Sequence, residues 1–367
     1  MDMERPVRVL QVVAGMDRGG IENFIMNVYR QIDRSQVQFD FLYHTGTACA
    51  FDEEILALGG RIYRFPMSQG VDIPGYCRFL DAFFTEHGEY RVCHGHYSMF
   101  GVFYNHYAKK HGVPVRVMHS HNTSACGAGL NRLADQYFSR MSDWQATARY
   151  ACSADAGRFL YGKKEFEVCK NGIDCNRFVF SAENRARVRG QYNLSEEHYV
   201  IGSVGQFRSQ KNYDWFAKPF SELCKKEKNV RFLLVGDGAQ RGEIEAAFAK
   251  AGVLDRVIFA GVQADPAPFY SALDVFVLPS LFEGFPVCMT EAQTNGLPCL
   301  LSEHVPREVA LCENVRFLPL SEPERWVEQL AQRPARNRDG AKQVCEAGYD
   351  IKNTAGQLQA FYLQASV

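Results

Sequence analysis

Short apolar-rich runs recur along this chain, and most lead through a turn into a stretch of helical spacing. Val7–Val13, Phe39–Tyr43, Val200–Val204, Arg231–Val235 and Val275–Leu278 are the clearest. Such runs leave little room for a wetted face, so they belong inside a parallel sheet covered by helices on both sides. Strands alternating with helices in this way predict an α/β architecture. At 367 residues the chain is long enough for two such domains with separate cores.

The remaining strands are read at Gly60–Phe65, Tyr90–His96, Val115–Asn122, Val257–Gly261 and Cys299–Ser302. Helices are expected at Ile73–Phe84, with Pro74 near its start and a wide aromatic stripe for the core, and at Glu243–Ala251, Asp265–Ala272 and Tyr349–Ala365. Another should follow Lys211 and contain Trp215 and Phe216. Ser181–His198 is polar and charged without a core stripe, and reads as a linker.

Composition excludes several classes. Lys plus Arg is 41 against 42 for Asp plus Glu, so nothing draws the chain to nucleic acid. No apolar run approaches the roughly 20 residues of a membrane span, and the start, Met1 to Pro6, does not resemble a secretory leader. The expected location is the cytoplasm. Twelve cysteines without a Cys-x-x-Cys pair read as buried free thiols in a reducing compartment.

The chemistry gathers where strands end. After Val275–Leu278 the chain passes through Phe282-Glu-Gly-Phe-Pro286 into a helix starting near Pro286 and stopped by Asn295-Gly296. A helix start offers unpaired N–H groups and a positive dipole end, so a phosphate is favoured there. Glu283 lies on the loop above it and Glu291 within its first turns. Either carboxylate can accept two hydrogen bonds from a sugar diol, although a capping and a surface glutamate would also read this way. Gly205-Gln-Phe-Arg208-Ser-Gln-Lys211 follows another strand, and its two cations can clamp a pyrophosphate, or simply be solvated. Gly19-Gly20 and Gly236-Asp-Gly238 are turns that let backbone approach a ligand, and neither has the Gly-x-Gly-x-x-Gly spacing of a dinucleotide site. Two strands end in His-x-His, His94/His96 and His119/His121. No Cys or carboxylate recurs at a fixed offset from them, so ligand-lining is preferred to metal.

With these segments in view, the chain resembles the retaining glycosyltransferases of family 4 over nearly its whole length. The carriers are Phe282–Pro286 with Glu291, the Arg208/Lys211-Asn212 segment, Asn171-Gly-Ile-Asp174 to Phe178, and the Gln145–Gly162 strand and helix. Gln206 stands where the family often has Arg. The resemblance implies the GT-B fold, an α/β arrangement of two Rossmann-like domains facing each other across a cleft. The N-terminal acceptor domain would span 1–180, with a C-terminal helix at about 350–367 packing back on it, and the nucleotide-sugar donor domain 181–349.

Resemblance also implies the roles. Arg208 and Lys211 would bind the donor's diphosphate, Glu283 hydroxyls of the transferred sugar and Glu291 the ribose diol. Gly236 and Gly238 would lie beside the nucleotide, Val262 near the base, and Gly284, Phe285, Pro286 and Val287 at the donor's helix start. Gly19, Gly20 and Gly205 complete the donor set. The family's site histidine matches His119 or His121, which the sequence does not separate. With Arg208, Lys211 and Glu283 these make the catalytic set, and no cofactor or metal is expected.

The reading is therefore a hexosyltransferase moving a sugar from a nucleoside diphosphate, most simply UDP, to a hydroxyl with retention. Acceptors would be saccharides or polyprenyl-linked saccharides in exopolysaccharide or capsule synthesis, with peripheral contact at the inner membrane face. A nucleotide-sugar epimerase of the same architecture, a phosphorylase and a noncatalytic nucleotide-sugar binding protein remain open.

Overall fold

The computed structural model describes residues 6–67, 72–122 and 137–364; the first five residues and the end of the expected last helix lie outside them. The chain divides into two units, residues 1–172 with 351–367, and residues 173–350. The expected boundary at 180/181 falls inside the second.

The first unit is built on seven parallel strands: β1 (Val7–Val13), β2 (Val37–Tyr43), β3 (Ile62–Arg64), β4 (Val92–Gly95), β5 (Val115–Ser120), β6 (Ala148–Ala151) and β7 (Glu167–Val168). Their order is β3-β2-β1-β4-β5-β6-β7. The second unit has six: β8 (Tyr199–Val204), β9 (Val230–Val235), β10 (Val257–Gly261), β11 (Val275–Leu278), β12 (Cys299–Ser302) and β13 (Val315–Leu318). Their order, β10-β9-β8-β11-β12-β13, is the Rossmann order. In both sheets the order reverses at the first strand, between β1 and β4 and between β8 and β11. Loops leaving the carboxyl ends of those neighbours run in opposite directions over the sheet, which opens a crevice for ligand there.

Each unit has its own core, as the apolar strands require. In the first, Val9, Phe24, Phe39 and Tyr29 are buried together with Leu358 and Tyr362 of the helix Ile351–Gln364. In the second, Phe216, Phe220, Phe232 and Phe248 pack on one another, and the buried Trp326 lies against Phe216. The aromatic stripe of helix Ile73–Glu86 is core, with Tyr76, Leu80, Phe83 and Phe84 buried. Asp72 caps that helix by accepting from Gly75 N, and Asp174 caps the short helix Cys175–Phe178 by accepting from Asn176 N. Trp215 and Phe216 precede the helix they were expected to occupy, which runs Ala217–Lys226.

Ser181–His198 is not a linker. Ala182–Gln191 is a helix of the second unit, and its anchor is a charged residue that hydropathy counts as solvent-facing. The Arg189 side chain is 1% exposed. It donates to the carbonyls of Ala272 (3.0 Å), Ser195 (2.8 Å) and His198 (3.2 Å) and to Asp274 (2.7 Å). A guanidinium with its donors satisfied in this way can be buried, so the segment packs without an apolar stripe.

All cysteines among the described residues are free, and most are buried. Among those residues no helix is long and apolar enough to cross a membrane.

Candidate functional site

In the second unit, the sheet's reversal point brings the β8 and β11 loops together. Arg208 starts a 3₁₀ turn, Ser209–Lys211, and Asn212 closes it in the left-handed conformation at φ 55°. Leu281 N donates to Gln210 O (2.8 Å) and the Asn212 side-chain Nδ2 donates to Pro279 O (3.0 Å), so the two loops are laced through their backbone carbonyls. This lacing carries Lys211 Nζ to 2.8 Å from Glu283 Oε1. Ser280 Oγ donates to the same oxygen at 2.6 Å, and Gln210 Nε2 to Glu283 Oε2 at 3.0 Å. Glu283 is 6% exposed, so its carboxylate is held by three partners in a nearly dry setting.

Burial alone would favour a neutral Lys211 amine. The adjacent Glu283 carboxylate, with Cys288 and Tyr213, outweighs it, and the Lys211 pKa is raised. The lysine is therefore a fixed cation in an ion pair. Arg208 differs: it is exposed, and its guanidinium makes no hydrogen bond or ion pair within the described residues. Of the two expected phosphate cations, one is braced and the other open to an anion.

The glycine turns are needed for close approach of backbone to backbone. Gly236 has φ 135°, and a Cβ there would sit 2.0 Å from Gly205 O; at Gly238 it would sit 2.5 Å from Phe207 O. These glycines seat the β9 turn against the β8 loop that carries Arg208 and Lys211. Replacing Gly236 with alanine should cost about 2 kcal/mol of stability, read by denaturant unfolding, because neither the backbone conformation nor the contact tolerates a methyl.

Gly284 and Val287 are half-buried, Pro286 caps the helix Val287–Thr294, and Phe285 stacks on Tyr349 at 4.9 Å. That stack fixes the turn into the helix start. Glu291, on this helix, is hydrogen-bonded by the buried Tyr270 hydroxyl. Burial pushes its pKa up to about 7. Val262, next to the β10 end, is 63% exposed. Thus Gly205, Lys211, Gly236, Gly238 and the Glu283–Val287 turn are tied by contacts, Arg208 joins them only through its backbone carbonyl to Lys211 N, and Glu291 is held separately by Tyr270.

Gly19 and Gly20 belong to the first unit, at the start of helix Gly20–Gln31, with Gly19 N donating to Asp17 O at 2.9 Å. A Cβ at Gly19 would meet the Glu22 carboxylate, while Gly20 faces open space.

The same unit gathers both His-x-His pairs at the ends of β4 and β5. His94 and His96 stack at 4.4 Å between ring centroids, and His119 and His121 at 4.2 Å. His94 Nε2 meets His119 Nδ1 at 3.2 Å, and His96 Nδ1 meets His121 Nε2 at 2.8 Å. Burial drives His94 and His121 down to about 3, and His96 and His119 well below the ordinary imidazole range. All four are neutral near pH 7.

Among the described residues, two groups of side chains are close enough to share an ion: His94, His96 and His119, and, unforeseen from sequence, Cys175, Cys345 and Asp350. The histidines would have to surrender the His94–His119 hydrogen bond to do so. Sequence reading also missed Gln11, Tyr362, Tyr270, Gln210 and Ser280 as partners of the site residues, since each lies far along the chain from, or carries no motif with, the group it holds. A separate cavity of about 250 Å³, lined by Glu196, His198, Asp274, Arg333 and Arg336 among others, lies at the amino ends of β8 and β11 and includes none of the expected residues.

Residues 19–161 match the model of a glycosyl transferase 4-like domain, and 198–333 that of glycosyl transferases group 1. EpsF of Bacillus subtilis strain 168, a protein named as a glycosyltransferase, is 38% identical over 371 residues, covering 97% of this chain and 96% of its own. The UDP-Gal:alpha-D-GlcNAc-diphosphoundecaprenol alpha-1,3-galactosyltransferase of Escherichia coli is 27% identical over 226 residues, 58% of each chain. Anabaena Alr3699/HepE, solved in complex with UDP and glucose, is similar in structure with a TM-score of 0.80 at 17% identity, over 97% of this chain and 99% of that one. WaaG, a glycosyltransferase involved in lipopolysaccharide biosynthesis, gives 0.70 at 14% identity over 96% and 99%.

Proposed function

The chain belongs to the glycosyltransferases of family 4 and has their GT-B fold, and from that premise we propose that it moves a hexose from a UDP-sugar to a saccharide hydroxyl, with the anomeric configuration retained. The second unit takes the donor and the first serves the acceptor. One observation carries this reading: the open Arg208 guanidinium stands one 3₁₀ turn before the braced Lys211–Glu283 pair, at the carboxyl end of β8.

The leaving group is a diphosphate, so the step needs positive potential where its charge grows. Arg208 supplies paired N–H donors, Lys211 a fixed ammonium, and the start of helix Val287–Thr294 its backbone N–H groups. With those in place the reaction needs no divalent metal. Glu283 holds hydroxyls of the transferred sugar while anchored by Lys211, and Glu291 takes the ribose diol. Neither acts as a nucleophile; the departing phosphate accepts the acceptor's proton on the face it leaves, which preserves configuration. His119 and His121 serve the sugar-transfer step from the first unit.

The E. coli relative's name joins a UDP-sugar to a diphosphoundecaprenol acceptor, and HepE was solved with UDP and glucose, which supports UDP as the donor's nucleotide and a lipid-linked saccharide as acceptor. A polyprenyl-linked acceptor places the enzyme at the inner face of the membrane, building an exopolysaccharide or related glycan.

The test offers UDP-glucose, UDP-galactose and UDP-N-acetylglucosamine with a polyprenyl-diphosphate-linked sugar, in the presence of a chelator. Expected is acceptor-dependent UDP release from one of them and an axial linkage by proton NMR. Inverted configuration, or sugar interconversion without acceptor, would overturn the reading.

A further inference from the structure

Two cysteines and an aspartate meet where the chain enters and leaves the second unit. That unit runs from Ile173 to Asp350, and its two ends lie side by side. Ile173 N donates to Tyr349 O at 2.9 Å, and Ile173 pairs with Asp350 in an isolated parallel bridge. Cys175 opens the short helix Cys175–Phe178, which Asp174 caps and which the Asn295 side chain anchors by donating from Nδ2 to Phe178 O at 2.7 Å. Cys345 lies in the last turn of helix Gly340–Glu346. Gly348, at φ 81°, donates its N–H to Cys345 O at 2.9 Å and turns the chain back, which brings Asp350 beside both thiols. Glycine takes that left-handed turn without strain.

Cys175 Sγ, Cys345 Sγ and an Asp350 carboxylate oxygen all lie within 4.8 Å of one another. Tetrahedral zinc, with sulfur at about 2.3 Å and oxygen at about 2.0 Å, sets its ligand atoms about 3.5–3.8 Å apart. The three need therefore draw in by no more than about 1.3 Å, a distance that side-chain rotation supplies. Cys175 is buried, whereas Cys345 and Asp350 are half-buried, so an ion can enter from their side. The donor set selects the ion. Two thiols disfavour magnesium and calcium, which take oxygen, and a carboxylate disfavours copper(I), which takes sulfur.

We propose that Cys175, Cys345 and Asp350 form a binding site for a thiophilic divalent cation of the zinc class, which fastens the first and last segments of the second unit to each other. On binding, both thiols give up their protons to solvent, the carboxylate lends one oxygen, and a water from the half-buried side completes the tetrahedron. Two thiolates and a carboxylate carry three negative charges, which a dication offsets. The histidine trio is a poorer host, because its rings are buried and the His94–His119 hydrogen bond would be lost. Tyr349, next to Asp350, stacks on Phe285, so the ion also steadies the turn that carries Glu283. It takes no part in sugar transfer, and turnover in a chelator persists wherever the metal-free chain stays folded.

The test strips the full chain with a chelator in a phosphine reductant and titrates it with cobalt(II), whose spectrum reports its ligands. Expected is one cobalt per chain with thiolate charge-transfer bands and the d–d bands of a tetrahedral site, both displaced by zinc. Cys175→Ser and Cys345→Ser should each remove these tight-binding bands, and His94→Gln should leave them as they are. Asp350→Asn should weaken zinc by more than the roughly 10–100-fold typical of a supporting neighbour. Zinc at a hundredfold excess over its Kd should raise the thermal midpoint of the second unit by about 5–10 °C in the wild type and not in the cysteine variants. Circular dichroism of the metal-free variants checks that each is folded. A wild type without thiolate bands, or bands that survive both cysteine substitutions, overturns the site. So does reduced protein that ignores cobalt yet closes a Cys175–Cys345 disulfide with oxidised glutathione, which would make the pair a redox couple instead.

Discussion

Lys211→Ala is expected to lower kcat/KM for the nucleotide sugar by about 10³-fold, the scale of losing a charge-stabilising donor to the leaving group. It should also cost about 3 kcal/mol of stability, since Glu283 would remain 6% exposed and charged without its cation. Arg208→Ala separates the two effects. That guanidinium is exposed and pairs with nothing among the described residues, so its removal should reduce turnover by about 10²-fold or more while leaving the unfolding midpoint unmoved. Adding Glu283→Gln to Lys211→Ala should recover much of the stability and none of the activity. Unfolding by urea and steady-state kinetics on the four proteins check this. Wild-type kcat/KM in both single variants would remove the phosphate assignment.

Glu291→Gln should make the protein more stable at pH 8 and little different near pH 4. The sign follows from a folded pKa raised by burial, from an ordinary 4.5 to about 7. Below about pH 4.5 the carboxyl is protonated in both folded and unfolded chains and costs nothing. As pH rises toward 7 the unfolded chain sheds the proton first, so stability falls through that window by up to about 3 kcal/mol, and the full penalty persists above it. Glutamine keeps an acceptor for the Tyr270 hydroxyl and carries no charge to desolvate. Binding should run the other way. An ionised Glu291 accepting the ribose diol makes UDP affinity rise between about pH 6 and 8, and the glutamine variant should bind more weakly with a flat profile. Calorimetry across that range decides it: a wild type with pH-independent affinity would mean that Glu291 does not hold the ribose.

The strands were legible because a buried parallel strand must be apolar almost throughout. Val275–Leu278 and Cys299–Ser302 stand where they were expected. Helix Ala182–Gln191 was read as linker because its anchor, Arg189, is satisfied by carbonyls at Ser195, His198 and Ala272, and a satisfied charge looks like a solvated one in sequence. Glu283 and Lys211 were each singled out, yet their ion pair was not, because it depends on β8 and β11 being neighbours while two strands intervene along the chain.

Sequence alone determined the two parallel sheets, the family resemblance and the residue types offered at strand ends, since these depend on local periodicity and on motifs a few residues long. Tertiary structure decided which of those residues touch. It set Lys211 on Glu283, left Arg208 open, placed Tyr270 on Glu291, and brought Gln11 to His96 and Tyr362 to His94 from distant parts of the chain. The reason is physical: a side chain's charge state and hydrogen-bonding direction are fixed by partners and burial, and sheet order, which no short stretch encodes, chooses those partners.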